Sequence, residues 1–400
     1  MGNKYTIKAK HSRRRAGKVD TPFNEELKNV RWGEFGFDKL FKVCPVKNKL
    51  TKIALDSDGK IPVYSSDSSN NGILGFTNEE AEFIISKDNP VYIVFGDHTR
   101  SFNIATESFC VMDNVKVLAV NEVLSVSGLL FIISSWKKCI PNKGYSRHWS
   151  TAKNVLFKLP LTQDNKIDFD FIECFVKELE AVRIDKLDAY LLDNNLKDYI
   201  LTIKEEQVLN IFKNIEWGKF RLGVLFKKIE TKKLSFQADE LPKQIIGKYT
   251  LPCLTSSFKN QGLNYFVPKV GVTILKNVIS IPSNSDIYRA YFQSNEFTVL
   301  SDAYAISWVF DGVKLLPNQY LFAVQCINKV TDLSIYSYKN KLGGWNVVKN
   351  KYIQLPIKND KPDFEIMDTL ISAIKKLVIK EVVLYVDRKI ATTKNSVSKN

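Results

Sequence analysis

Val30-Arg31-Trp32-Gly33-Glu34-Phe35 recurs as Ile215-Glu216-Trp217-Gly218-Lys219-Phe220, 185 residues further along the chain. At the same offset Leu40-Phe41 recurs as Leu225-Phe226, and Pro62, Gly72 and Phe76 recur as Pro252, Gly262 and Phe266 at an offset of 190. Further out, Phe157-Lys158-Leu159-Pro160 with Asp168-Phe169 parallels Ile353-Gln354-Leu355-Pro356 with Asp363-Phe364. A single Trp-Gly or Leu-Pro coincidence is cheap. Correspondences kept in one order, at a slowly drifting offset, define a duplicated unit of roughly 185 to 195 residues. Between the borders the halves diverge, and His98 to Asp113 has no obvious counterpart in Tyr288 to Trp308.

Within each half, Tyr64 through Phe76 and Thr255 through Phe266 read as a strand, a Ser/Asn-rich turn and an aromatic strand. Each half closes with a helix. Phe171, Ile172, Phe175, Val176, Leu179 and Val182 form an apolar stripe, with Asp170 and Glu173 as the expected N-terminal cap. In the second copy Phe364, Met367, Ile371, Ile374 and Val378 alternate steps of three and four, the seam of a coiled coil, with Lys375, Lys376 and Lys380 off it. A helix packing on its own domain would show a similar stripe. Two such helices of ~20 residues would pair into a rod of roughly 30 Å, close to the ~34 Å of one turn of B-DNA. Between the halves Asp193-Asn194-Asn195 breaks the first helix, and Thr202-Ile203-Lys204-Glu205 opens a shorter one through Phe212, so the linker is expected to be ordered. The apolar stretch Val123 to Ile133 is too short to span a membrane and reads as a buried strand or helix.

The expected fold class is α+β, with two tandem α/β modules separated by a pair of long antiparallel helices. The boundaries are 1–22 for a basic arm, 23–160 for the first module and 161–212 for the first helix and linker. The second module is 213–357, the second helix 358–388 and a polar, fraying tail 389–400. Net charge is +15 and pI near 9.3, which favours a polyanionic partner: nucleic acid or an anionic surface. Lys4, Lys8, Lys10, Arg13, Arg14, Arg15 and Lys18 share the first 18 residues with no carboxylate, the pattern of a solvated arm. The 6 cysteines are scattered, and no secretory leader is evident, so reduced thiols in the cytoplasm are expected.

Catalytic signatures are sparse. Asn89-Pro90-Val91-Tyr92 resembles the Asn-Pro-Pro-Tyr loop of amino-methyltransferases, but it lacks the second proline and a preceding Gly-rich turn; a strand beginning after a proline turn accounts for it better. P-loop, H-E-x-x-H and G-x-S-x-G patterns are absent, and the 3 histidines, His11, His98 and His148, have no neighbouring metal ligands in sequence. No catalytic residue, metal site or cofactor is expected.

DNA contact calls for cations on phosphates and for Arg, Lys, Asn or Gln on base edges. The richest cluster is Asn142 to Trp149, with Lys143, Tyr145, Arg147 and His148; its counterpart is Tyr338 to Trp345, with Lys339, Lys341 and Trp345. Both lie shortly before the Leu-Pro border, though a pair of exposed hairpin loops would look the same. Further candidates are Arg100, Asn103, Asn70 and Asn71 in the first half and Arg289, Asn260 and Gln261 in the second.

The ordered set resembles the specificity subunits of type I restriction-modification systems and the recognition subunits of BcgI-like enzymes. The resemblance rests on Trp32-Gly33 with Leu40-Phe41, on Trp217-Gly218 with Leu222 to Phe226, and on the two Leu-Pro borders with their helices. Phe297 to Ile306, Gly144 to His148, and the linker Tyr190-Leu191-Leu192 with Asn195 to Tyr199 add to it, over residues 28 to 388. It implies two target-recognition domains, each reading one part of a split sequence in double-stranded DNA, with the helix pair setting the gap. It further implies that catalysis belongs to an adenine DNA methyltransferase, which binds S-adenosylmethionine, and to a restriction nuclease-translocase. The methyltransferase would dock on the helix pair, for which Phe171, Phe175, Leu179, Met367, Ile371, Ile374 and Val378 are the candidates. The first half departs from the pattern at Phe37-Asp38-Lys39 and lacks the Asp-Ala-Tyr segment. Two other readings stay open: a divergent methyltransferase with an unrecognised site, and a basic interaction scaffold without sequence preference.

Overall fold

A computed structural model describes residues 21–397, apart from Val123 and Tyr338, and divides the chain into two units, one running to Lys186 and taking in the stretch from Thr393, the other running from Leu187 to Thr392. The basic arm lies, up to residue 20, outside the described residues. The first unit opens with α1 (Thr21–Asn29), β1 (Trp32–Phe35), β2 (Phe41–Cys44), β3 (Lys49–Leu50), β4 (Ile61–Tyr64) and β5 (Ile73–Thr77). It continues with β6 (Tyr92–Gly96), β7 (Ser101–Ala105), β8 (Cys110–Met112), β9 (Val115–Val120), α2 (Val126–Cys139), α3 (Trp149–Ala152) and β10 (Phe157–Pro160), and α4 (Phe169–Asp193) follows. The second unit holds α5 (Ile203–Ile211), β11 (Trp217–Arg221), α6 (Leu222–Leu225), β12 (Phe226–Lys228), β13 (Tyr249–Leu254), β14 (Leu263–Pro268), β15 (Val278–Pro282) and β16 (Tyr291–Gln293). Then come β17 (Thr298–Val299), β18 (Ala303–Trp308), α7 (Pro317–Thr331), α8 (Trp345–Val348), β19 (Tyr352–Lys358), β20 (Lys361–Pro362) and α9 (Phe364–Val397).

The repeat is visible as register. Trp32 pairs with Pro160 and Gly33 with Leu159 across β1 and β10; Trp217 pairs with Pro356 and Gly218 with Leu355 across β11 and β19. Pro62 faces Phe76 across β4 and β5, as Pro252 faces Phe266 across β13 and β14. The four-stranded sheet β2-β9-β6-β7 has the strand order of β12-β18-β15-β16. β8 joins β4 in parallel as β17 joins β13. The stretch without a sequence counterpart therefore has a structural one: β7 and β8 of His98–Asp113 answer β16 and β17. Backbone pairing survives side-chain divergence because ladder hydrogen bonds do not depend on side-chain identity.

The run Val91 to Phe95 is buried throughout, as expected for a strand covered on both faces. Ile93 and Phe95 face a core with Leu129, Ile132 and Trp136 of α2, while Tyr92 and Val94 join Phe83 and Phe109. Trp136 stacks on Phe37, Phe41 and Phe157, and its indole N–H donates to the Ala152 carbonyl at 2.9 Å. Of the two forms expected for the Val123 to Ile133 stretch, the helix is found from Val126 onward, with Ser125 accepting from the Gly128 N–H. In the second unit α7, β15, β18 and the start of α9 share one large core around Ile279, Ile306 and Ala323.

Three local expectations are corrected. The cap of α4 is Asp168, which accepts from the Phe171 N–H at 2.8 Å, just as Asp363 accepts from Ile366 at 3.0 Å. Asp170 lies inside the helix, and Glu173 instead accepts the N–H and hydroxyl of Ser125. Helix α9 spans 34 residues and continues past Arg388 to Val397, where a polar tail was expected; at ~1.5 Å per residue it is about 50 Å long, and the 25 residues of α4 are about 37 Å. The coiled-coil seam also does not hold along α9. Met367, Leu370, Ala373, Val383 and Val386 are buried, whereas Ile374 is 42% and Val378 73% exposed. The buried side of α9 is the one that joins the second unit's core through Met367 and Leu370. Lys376 turns toward the linker, where its ammonium meets Asp198 at 2.9 Å and Glu205 at 3.1 Å and donates to the Ile200 carbonyl.

The linker is ordered as its capping box implied. The Thr202 N–H donates to Glu205 at 2.7 Å and the Glu205 N–H to the Thr202 hydroxyl at 3.2 Å. Lys197 bridges Asp188 and Asp387 at 2.5 and 2.9 Å.

Candidate nucleic-acid interface

In the first unit three polar segments converge: the turn after β4, the β6–β7 turn, and the loop between α2 and α3. The Thr99 hydroxyl donates to the Ser66 carbonyl, the Ser101 hydroxyl to the Asp67 carbonyl, and the His98 N–H to the Ser66 hydroxyl at 3.0 Å. Gly96 permits this approach, because a Cβ there would lie 2.4 Å from the Ser101 hydroxyl and 3.1 Å from the Ser66 backbone. The loop is tied in through Asp97. Its carbonyl accepts from the backbone and ring Nδ1 of His148, each at 2.9 Å, and its carboxylate accepts from the Trp149 N–H at 2.6 Å. The Ser69 and Ser68 N–H groups hold the Asp67 carboxyl below the usual carboxylate range, so an anion sits in the turn.

The candidates sort cleanly. Lys143, Tyr145 and Arg147 are exposed. The Lys143 ammonium reaches the Thr151 hydroxyl at 2.8 Å and Arg147 donates to the Asn114 side chain at 3.3 Å, interactions that leave both cations facing water. His148 does not belong with them: it is 1% exposed, with Nδ1 on the Asp97 carbonyl and Nε2 accepting from the Lys143 N–H, so its ring is a loop staple. Arg100 donates to the Ile140 carbonyl, Asn103 is buried on β7, and the Asn70 and Asn71 amides donate to the Ile73 and Ile104 carbonyls. Arg100 and Asn71 thus link separate segments, whereas the Asn70 bond stays within its own turn. His98, not among the expected contacts, lies at their junction, its ring stacked on Tyr145 at 4.6 Å and 5°. The signal for it was the Asp-His-Thr-Arg turn between two apolar runs.

The second unit repeats the convergence. The Tyr291 hydroxyl donates to the Phe258 carbonyl, Gln293 to the Gln261 carbonyl, and the Ala290 N–H to Asn328 of α7. Asn260 and Gln261 are exposed at the turn, both with positive φ. Lys339 and Lys341 are exposed on the α7–α8 loop. Arg289 pairs with Asp332 at 2.7 Å while remaining about half exposed, and Trp345 is half-buried against Tyr304. As in the first unit, the tryptophan opens the one-turn helix, here α8 and there α3.

Each unit also carries an apolar cleft at the equivalent place. One, of about 980 Å³, includes Trp32, Phe131, Lys138, Phe175 and Leu179; the other, of about 570 Å³, includes Trp217, Phe322, Lys329, Ile371 and Ile374. Of the docking candidates, Phe175 is buried against Phe23 and Phe131, and Met367 is buried in the second core; both serve their own unit. Phe171 is half-buried on Phe175. Asn89-Pro90-Val91 leads into β6, which begins at Tyr92, whose ring is buried against Phe83 and Phe109. Among the described residues no group of His, Cys, Asp and Glu is placed to hold a metal ion, and no helix is long and apolar enough to cross a membrane.

Residues 29–189 match the family model described as the type I restriction modification DNA specificity domain. No curated protein matches the chain. Among solved structures it resembles the S subunit of a type I restriction-modification system from M. genitalium, with 13% identity and a TM-score of 0.55 over 93% of this chain and 95% of that one. The HsdS subunit from Thermoanaerobacter tengcongensis aligns at 11% identity with a TM-score of 0.29, over 89% and 91% of the two chains. At such identities the first likeness speaks for the fold, and the second score is too low to add to it. The chain is similar to the specificity subunits of type I restriction-modification systems: residues 29–189 match their DNA specificity domain, and 93% of the chain shares its mixed helix-and-sheet fold with one of them.

Proposed function

We propose that the chain is the DNA-recognition subunit of a restriction-modification enzyme, each unit reading one part of a bipartite duplex target. One observation carries the reading: the same three loops converge in both units and present exposed cations, Lys143 and Arg147 in the first, Lys339 and Lys341 in the second. Two copies of one presentation suit two half-sites better than one active site, and the surplus of +15 suits a phosphate backbone. On this reading α4 and α9 form the spacer. Methylation belongs to an adenine methyltransferase subunit carrying S-adenosylmethionine, with a nuclease-translocase joining for cleavage. The methyltransferase docks along Leu179, Ile371 and Ile374, which line the twin clefts, and on the outward Val378. This subunit works in the cytoplasm, where its DNA is.

The test is selection from random duplex DNA by the full chain with the methyltransferase subunit of the same system, at near-physiological salt. A two-part motif with a fixed gap is expected. Binding without any motif, collapsing as salt rises, would mean a nonspecific basic scaffold. S-adenosylmethionine bound tightly by the isolated chain would favour a methyltransferase hidden within it.

A further inference from the structure

We propose that His98, held flat by Tyr145, reads a base in the part of the target bound by the first unit; the proposal rests on the DNA-recognition reading above. Tyr145 is 86% exposed on a loop turned by Gly144 at φ +68°. A tyrosine so placed would ordinarily sample several rotamers, yet its ring lies within 5° of parallel to the His98 ring. The backbone on either side of His98 is pinned. Asp97 is held by His148 and Trp149, and Thr99 by Ser66 and Ser101. One face of the imidazole is therefore covered, its main chain is fixed, and Nδ1 is buried with no hydrogen-bond partner. That leaves Nε2 as the atom through which the ring makes polar contact.

The other candidates at this corner are less well placed to meet a base edge. Arg100, Asn103, Asn70 and Asn71 are buried or bonded to backbone carbonyls, and His148 uses both ring nitrogens within the chain. Lys143 and Arg147 are long exposed cations suited to phosphates. A preorganised imidazole edge, able to donate to a purine N7 or guanine O6, or to accept from an exocyclic amine, suits direct readout. Tyr145 is then a positioning residue acting through the stack.

The experiment repeats the duplex selection with the full chain and its methyltransferase subunit, comparing wild type with His98→Ala, Tyr145→Ala and Tyr145→Phe. Both alanine variants should relax the same single position in one part of the motif and lower specific affinity about tenfold. The second part and the nonspecific salt dependence should stay unchanged. Tyr145→Phe keeps the stack and should keep the motif. An unchanged motif in His98→Ala overturns the assignment alone, and so does loss of both motif parts together, which would mark a fold or assembly defect. A wild-type chain that selects no motif overturns the recognition reading along with it.

Discussion

Gly33 lies directly opposite Leu159 in the β1–β10 ladder, so the two sequence borders of the first repeat are one piece of structure. Gly218 stands to Leu355 in the same register. Both glycines are close-approach positions. A Cβ at Gly33 would lie 2.8 Å from Leu161 Cδ2, and one at Gly218 would lie 2.5 Å from Ile357 Cγ2 and 2.9 Å from the Phe220 ring. Gly218→Ala should cost about 1–3 kcal/mol through overpacking, because a β-branched methyl and a ring cannot swing aside. Gly33→Ala should cost less, since the end of a leucine can rotate. Urea midpoints of the two variants check the order, and a costlier Gly33→Ala would contradict it.

His148 is a staple, so its removal should appear in stability before binding. His148→Ala leaves the Lys143 N–H without its acceptor and should cost about 1–3 kcal/mol. Faster hydrogen exchange at the Lys143 amide is the local readout. Protection equal to wild type would put the ring back among the DNA-binding candidates.

Lys143→Glu and Arg147→Glu should do the reverse. Both side chains are exposed, so folding should be little changed while duplex binding weakens across all sequences. The slope of log affinity against log salt should fall by about one for each phosphate that is no longer neutralised. An unchanged slope would remove this loop from the backbone path.

Glu205 makes acid stability a test of the linker. Burial raises its pKa, but hydrogen bonds from the Ser372 hydroxyl and the Thr202 N–H, with the Lys376 ammonium beside it, outweigh burial and lower it to about 2. The folded value lies below the ordinary 4.5, so the ionised form is the stabilising one. Its contribution is complete above pH 4.5 and is lost as pH falls toward 2. Denaturation of Glu205→Gln and wild type across this window should converge at the acid end; parallel curves would refute it.

Lys376→Met leaves Glu205 buried without its cation and frees the Ile200 carbonyl. The loss should be somewhat under the ~3–5 kcal/mol typical of removing one partner from a fully buried pair. Lys197→Ala breaks a more exposed bridge and should cost no more than about 1 kcal/mol. Limited proteolysis between Asn194 and Thr202 should accelerate in the first variant and barely change in the second.

The sequence by itself determined the duplication, the position of both closing helices, the capping box at Thr202 and the α2–α3 and α7–α8 loops. Each of these is written in neighbouring residues: a motif, a period, a polar run. Tertiary structure alone decided which polar side chains stay available. His148 and Lys143 look equivalent in sequence, yet one is consumed by the Asp97 carbonyl, 51 positions away, and the other faces water. His98 gained its place from Tyr145 and Ser66, again far along the chain. On α9 the apolar period pointed to Ile374 and Val378, which are exposed, while Lys376 pairs with Glu205, a buried carboxylate on a separate helix. A hydrogen bond or ion pair between distant residues leaves no periodic trace, and leaving a buried partner unpaired costs more than exposing a methyl group.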